Sequence, residues 1–379
     1  MKILTLGASP YLLVRDAKIH ADIIRSFVDK NVGVSSVVWN HDTSYFAADA
    51  DGKLRYEATQ DTKVDLYAID YRLQTASIQV YDAMKEVQPD VIISIGSHEE
   101  TSFLAAIKMM YPNLFKWIAI HTNETSGLLY NNKEAFEFVD FLVTTSEFAY
   151  KETAKVANIN GQFLSYGPNH DDFYCTDDTI RSGFLYSARN TLASNLPAYI
   201  MSVANCGMRA HLHTNLYDVG DYSVDDLMRK YEATNMTYTT DYCSVRDGIS
   251  VDAMRKMYNS YNFYLDCGIK SATALSMLEA MSCGCVPIGP SYGRVGEILA
   301  KMPEDFRIVI PYNIYVGSNN EEFAIVDINK VKEIIGSIDM DPACIEAARK
   351  ASIAVASEYS NKAFIDKLNT ISQRIFMYI

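Results

Sequence analysis

No stretch of this 379-residue chain stays apolar for the roughly 18 residues that a helical bilayer crossing requires. The opening MKILTLGASP lacks the basic end, long apolar stretch and small-residue cleavage site of a secretory leader, so the expected compartment is the cytosol. No Cys-x-x-Cys occurs. The seven cysteines (175, 206, 243, 267, 283, 285 and 344) are scattered, and Cys283-Gly-Cys285 has no second half, which favours reduced buried thiols over a zinc site. Lys and Arg never stand more than two in a row, and 34 of them against 47 Asp and Glu leave a formal charge of −13. That balance disfavours a broad nucleic-acid face but leaves room for a local basic cleft. After the first strand candidate, Gly7-Ala8-Ser9-Pro10-Tyr11 is not the Gly-x-Gly-x-x-Gly of a nicotinamide-binding turn. Low-complexity tracts and short-period repeats are also missing. With 49% hydrophobic and 21% charged residues, the chain is globular. Its length fits two or three domains at roughly 100–200 residues each, or one large one.

What is present is an alternation of strand and helix signals. Residues 2–6 (KILTL) form an apolar run ending in the Gly7–Pro10 turn. Over 14–30, apolar residues recur at Val14, Ala17, Ala21, Ile24 and Phe27, which is helical spacing. Val34–Trp39 is β-branched and reads as a second strand, completing a β-α-β start. Helices are expected over 76–86, 102–110, 133–138 and 147–157, with strands at 91–95, 117–120, 141–144 and 162–165. The polar stretch Tyr166–Asp172 marks a boundary. A second alternation follows, with strands at 183–186, 209–213, 236–239, 263–265, 286–289 and 307–310. Helices come at 196–204, 224–234, 251–259, 274–281 and 295–299, and then at 328–338, 343–358 and 362–378. The pattern predicts two Rossmann-like β/α domains, 1–175 and 180–358. The terminal helix, 360–379, is expected to cross back and pack on the first. The helix at 14–30 carries Lys18, Arg25 and Lys30 among Asp16, Asp22 and Asp29, a mixed solvated face and not a membrane anchor.

The densest chemical signal lies at 266–299. A strand ends near Leu265, and a loop of small residues (Gly268, Ser271, Ala272, Thr273) opens a helix. Unbonded backbone N–H groups near Thr273–Leu275 would form an anion seat with Lys270 at its mouth. Glu279, about one and a half turns further on, is placed to accept hydrogen bonds from a ribose diol. Gly284 is the expected left-handed residue that ends the helix. Elsewhere, His211-Leu-His213 puts two imidazoles on one strand face without a third ligand nearby in sequence. His98-Glu99-Glu100 follows a strand and could line a cleft, and Asp49-Ala50-Asp51 before Gly52 reads as a turn. Tyr166, Tyr242 and Tyr292 fall in loops.

The run Leu278-Glu279-Ala280-Met281-Ser282-Cys283-Gly284-Cys285-Val286-Pro287-Ile288 resembles the LEAMAxGxPV signature of nucleotide-sugar glycosyltransferases of the GT-B fold, specifically the retaining, glycogen-synthase-like superfamily (family four). Gly293, Gly296, Glu297 and Ile298 resemble the glycine-rich GGxxE segment that follows it there. The resemblance implies a glycosyltransferase with two Rossmann-like domains facing across a cleft. It would use a nucleotide diphospho-sugar such as a UDP-sugar, and no obligatory metal or other cofactor. Glu279 matches the ribose-binding second Glu of the family's E-x7-E motif, whereas the first Glu is replaced by Ser271. Ala274 and Leu275 match backbone donors to the diphosphate, and Arg189 matches the phosphate-binding Arg. Ser194 stands where a Lys is common, a charge that Lys270 could supply. His121 matches the active-site His, and Gly7 the glycine-rich loop. Asn169 and His170 fall at the family's interdomain linker.

These matches make His121, Arg189 and Lys270 the expected catalytic residues. Gly7, Ser9, Ser271, Thr273, Ala274, Leu275, Glu279, Tyr242 and Val245 are the expected substrate contacts, the last pair beside the base. The acceptor stays open, as does the oligomeric state. Two alternatives remain: a bacteriophage-type DNA glycosyltransferase acting on a flipped-out hydroxylated base, and a catalytically weak nucleotide-sugar-binding protein, to which Ser271 and Ser194 point.

Overall fold

The computed structural model describes residues 1–12, 15–30, 32–39, 48, 51–69, 75–97, 103–122, 133–158, 160–176, 179–215, 221–240, 248–270, 274–318, 320–338 and 341–377. Ser271, Thr273, Tyr242, Val245, the 98–100 stretch and Asp49 lie outside the described residues.

The first lobe is built on eight strands: β1 (Lys2–Gly7), β2 (Gly33–Trp39), β3 (Leu54–Glu57), β4 (Lys63–Ile69), β5 (Val91–Gly96), β6 (Lys116–His121), β7 (Phe141–Thr144) and β8 (Gly161–Phe163). Their order is β3-β4-β2-β1-β5-β6-β7-β8. Every neighbouring pair is parallel except β3 with β4. Parallel strands are covered on both faces, which explains continuous apolar runs such as Val91–Gly96, buried throughout. One face packs Leu4, Leu6, Ile92 and Trp117. The other packs Ile3, Val91, Ile93 and Ile118.

The second lobe carries β9 (Phe184–Ser187), β10 (Ala210–Thr214), β11 (Met236–Thr240), β12 (Phe263–Leu265), β13 (Val286–Pro290) and β14 (Ile308–Ile310). These are all parallel, in the order β11-β10-β9-β12-β13-β14. A separate antiparallel hairpin, β15 (Tyr312–Val316) with β16 (Glu322–Val326), follows. The sequence reading passes over β3, β4 and this hairpin. β3 is four residues long and two of them are charged, so no two-residue period can establish itself. β15 is largely exposed, so it carries no buried face to announce it.

Six helices matter below: α1 (Arg15–Asp29), α2 (Glu147–Ala154), α3 (Val251–Asn259), α4 (Leu275–Ser282), α5 (Gly293–Lys301) and α6 (Asn361–Phe376). α4 ends as its sequence demands. Gly284 has φ +92, and the N–H of Cys285 reaches back to Ala280 O at 2.9 Å. α6 returns to the first lobe. Its Phe364, Leu368 and Ile371 join Ile3, Ile19 and Phe27 in one apolar cluster, and Asn369 donates to Ser26 at 2.9 Å. The two interlobe connections cross at Gly167, where a Cβ would lie 2.5 Å from Tyr359 C. Among the described residues, no helix is long and apolar enough to cross a membrane.

Candidate functional site

Strand order reverses between β1 and β5 in one sheet and between β9 and β12 in the other. Such switch points leave crevices at the carboxyl ends of the strands, where loops diverge and helix starts converge. The loops that follow β1, β9 and β12 therefore define the candidate site, and each carries an expected residue.

After β1, a Cβ on Gly7 would crowd its neighbours, sitting 3.0 Å from Ile95 O and 3.3 Å from His20 Nδ1. His20, on α1, lies fully buried beneath this turn. Its Nδ1–H donates to Ala8 O at 2.8 Å, which leaves Nε2 as the acceptor for Thr5 Oγ1 at 2.7 Å and Ser36 Oγ at 3.1 Å. Burial lowers its pKa to about 4, against the raising effect of the Ala8 carbonyl, so the ring is neutral. Ser9 is buried too, and its hydroxyl accepts from Tyr11 N at 3.4 Å. His121 ends β6, opposite Gly96 in β5. It is buried, with its ring edge-on to Phe136 at 5.4 Å.

After β9, Arg189 is exposed. The loop is fixed by Asn190, whose N–H donates to Asn215 Oδ1 at 2.6 Å and whose amide donates to Tyr222 O at 2.6 Å. Ser194 bonds Thr191 through its hydroxyl at 3.1 Å, and its carbonyl receives the Tyr186 hydroxyl at 2.8 Å.

After β12, burial pushes the Asp266 carboxyl up to about 6, opposed by the Gly268 N–H that it accepts at 2.8 Å. Lys270 stands 3.7 Å from Glu321 and 5.0 Å from the Phe323 ring centre, so its charge faces the β15–β16 hairpin. The hairpin also bonds the loop directly, Ala324 N to Ile269 O at 3.1 Å. Ala274 caps α4 in the left-handed region, φ 47. Leu275 is buried in the first lobe's apolar cluster, so the opening of α4 abuts the opposite lobe.

Glu279 lies at the lobe junction. Its side chain is 4% exposed, and Oε1 meets the Lys18 Nζ of α1 at 2.8 Å. Oε2 accepts the Tyr258 hydroxyl of α3 at 3.1 Å. Glu297, in the glycine-rich segment, also reaches across the lobes. It accepts the N–H of Phe148 in the first turn of α2 and pairs with buried Arg294 at 2.6 Å. Beside it, Phe148 meets Tyr292 edge-on at 5.4 Å.

Several other candidates have local roles. His211 and His213 both bond Thr239 Oγ1, at 3.1 and 2.9 Å, and His211 bonds Thr237 at 2.8 Å. Among the described residues, no group of three or more His, Cys, Asp or Glu is arranged to hold a metal ion. Tyr166 is buried in the hinge and donates to Asp22 at 2.7 Å. His170 bonds Tyr359 O at 2.7 Å through Nε2–H.

Sequence reasoning missed Lys18, His20 and Asp22, because the helix that carries them reads as a mixed solvated face. That reading is corrected here: Asp22 holds Tyr166 and Asn361, and Lys18 holds Glu279. A histidine on the apolar stripe of a helix was the available signal for His20.

No protein-family model matches the sequence, and no curated protein matches it significantly. Solved structures do match. The sucrose-phosphate synthase of Thermosynechococcus elongatus gives a TM-score of 0.80 at 13% identity, covering 100% of both chains. An α,α-trehalose-phosphate synthase (UDP-forming) from Burkholderia xenovorans, in complex with glucose-6-phosphate, gives 0.69 at 9% identity, with 98% of this chain and 100% of that one covered. The pneumococcal O-GlcNAc transferase GtfA, in complex with UDP and GlcNAc, gives 0.65 at 10% identity over 99% of each chain. At these identities the likeness is one of fold. The chain has the GT-B fold, two Rossmann-like lobes facing across a groove with the final helix returned to the first.

Proposed function

We propose that this chain is a glycosyltransferase that moves a sugar from a nucleotide diphospho-sugar to an acceptor hydroxyl with retention of anomeric configuration. One observation carries the reading. The helix bearing the LEAM-type motif opens against the opposite lobe, with Leu275 in the first lobe's cluster and Glu279 at the junction. A carboxylate in bulk solvent, far from the groove, would remove the basis for it.

In this reading the diphosphate lies at the start of α4, around Thr273, Ala274 and Leu275, with Ser271 beside the donor sugar. Glu279 accepts from the ribose, and the base lies towards Tyr242 and Val245. Arg189 and Lys270 balance the charge that builds on the departing diphosphate, the role of a preorganised electrostatic pocket. Lys270 must then leave Glu321, from which it now stands 3.7 Å. The acceptor enters beside Gly7, Ser9 and His121. No metal ion or other cofactor is assigned a part. The complexes of the structurally similar proteins, UDP with GlcNAc in GtfA and glucose-6-phosphate in the trehalose-phosphate synthase, make UDP-sugars and phosphorylated sugars the first substrates to try.

The test is turnover of UDP-, GDP- and ADP-sugars, with and without sugar acceptors, followed by NMR of the product's anomeric proton. Release of nucleotide with a retained anomer is expected. Nucleotide binding without turnover of any donor would replace the transferase by a nucleotide-sugar-binding protein.

A further inference from the structure

Lys18 and Glu279 are 261 positions apart and belong to different lobes, yet their charged atoms meet at 2.8 Å. The contact is enclosed. Glu279 is 4% exposed and Lys18 33%. Tyr258 takes the second carboxylate oxygen, and the Lys18 ammonium lies 5.9 Å from the Phe173 ring centre in the second lobe. With Lys18 on one oxygen, Tyr258 on the other and little of the side chain exposed, a ribose diol reaches this carboxylate only if a partner yields. A buried carboxylate that loses its counter-ion is strongly disfavoured unless other donors replace it. A vicinal diol supplies two such donors.

We infer that Lys18 is the resident counter-ion of the nucleotide seat. With α1 and α4 held together by this contact it occupies the place of the ribose diol, and a nucleotide enters by displacing it as the two helices part. This inference rests on Glu279 being the ribose carboxylate. Lys18 acts through Glu279 and is a positioning residue. Its lobe carries the acceptor side of the groove, so the pair links occupancy of the donor seat to the spacing of the lobes.

The experiment measures binding of UDP, ADP and GDP and their 2′-deoxy forms to the full chain by calorimetry. It is paired with hydrogen exchange of the nucleotide-free protein. The expected result is that Lys18→Met binds the preferred ribonucleotide on the order of tenfold tighter, because no ion pair has to be broken. Lys18→Arg should return to wild-type affinity. Lys330→Met, which removes an exposed cation paired with Glu333 one turn along its own helix, should change nothing. Without nucleotide, Lys18→Met should exchange faster across 15–29 and 275–282 but not across 328–337. Unchanged or weaker ribonucleotide binding in Lys18→Met, or unchanged exchange in both segments, overturns the inference. If wild type binds ribo- and deoxyribonucleotides equally, Glu279 is not the ribose carboxylate, and the inference falls with it. If no nucleotide binds while exchange still rises, the proposed function fails and Lys18 is an interlobe tie alone.

Discussion

His20 stays neutral because a charged imidazole could not be hydrated where it sits, and because Nε2 must keep a lone pair for Thr5 and Ser36. In the unfolded chain the same ring binds a proton near pH 6.5. Between that value and about 4, the unfolded state therefore holds a proton that the folded state does not, and stability falls as pH falls. His211, also lowered to about 4, acts in the same direction. Asp266 acts against both. Its folded value near 6 lies above the unfolded one, so acidification through pH 6 relieves the cost of its buried charge. Two histidines outweigh one carboxyl, and net loss on acidification is expected. His20→Asn keeps a donor for Ala8 but removes the titration, so it should lose about 3 kcal/mol less than wild type between pH 7 and pH 4. Urea unfolding at the two pH values checks this; equal losses would refute the neutral assignment.

The first turn of α2 shows how one element is held from two sides. Ser146 caps it from its own lobe, accepting from Ala149 N at 3.1 Å, and Glu297 caps it from the other. Ser146→Ala should cost about 1 kcal/mol, the usual value of a lost N-cap. Glu297→Ala should cost more, about 3–5 kcal/mol, because it also leaves the buried Arg294 guanidinium without its carboxylate. Thermal unfolding of both variants separates the two contributions.

Much at this scale could be read from the residues alone. β7, α3 and β12 fall where apolar spacing places them, and Gly284 ends α4 as expected. Cross-lobe partners could not be read. A motif identifies Glu279, but nothing in a linear pattern says which lysine of another lobe will face it. Lys18 looks like any solvated helix charge until α1 is docked. The β15–β16 hairpin was hidden for a related reason: it gains its partners, Lys270 and Ile269, only in the folded lobe.

For the molecule as a whole, the hinge is a place of close backbone approach. At Gly167 a Cβ would press on backbone, 2.5 Å from Tyr359 C and 2.7 Å from Ser360 N, with no flexible side chain to give way. Gly167→Ala should therefore cost about 2–4 kcal/mol and broaden the thermal transition, since it forces apart the segments that join the lobes. Gly336, near the end of the Ile328–Ser337 helix, makes the contrast. A Cβ there meets nothing within 4 Å. Gly336→Ala should stabilise by about 0.5–1 kcal/mol through a less flexible unfolded chain and better helix propensity. Calorimetric melting of the pair distinguishes a steric limit at the hinge from a general intolerance of added methyl groups.

The crossing has a topological result as well. Asn361 N lies 3.4 Å from Pro168 O, so the chain leaves the first lobe and comes back to it at one spot. The second lobe is thus a pendant inserted into the first, hung from a single doubled stem. Twisting or swinging about that stem would move it as a body without tearing a strand from either sheet.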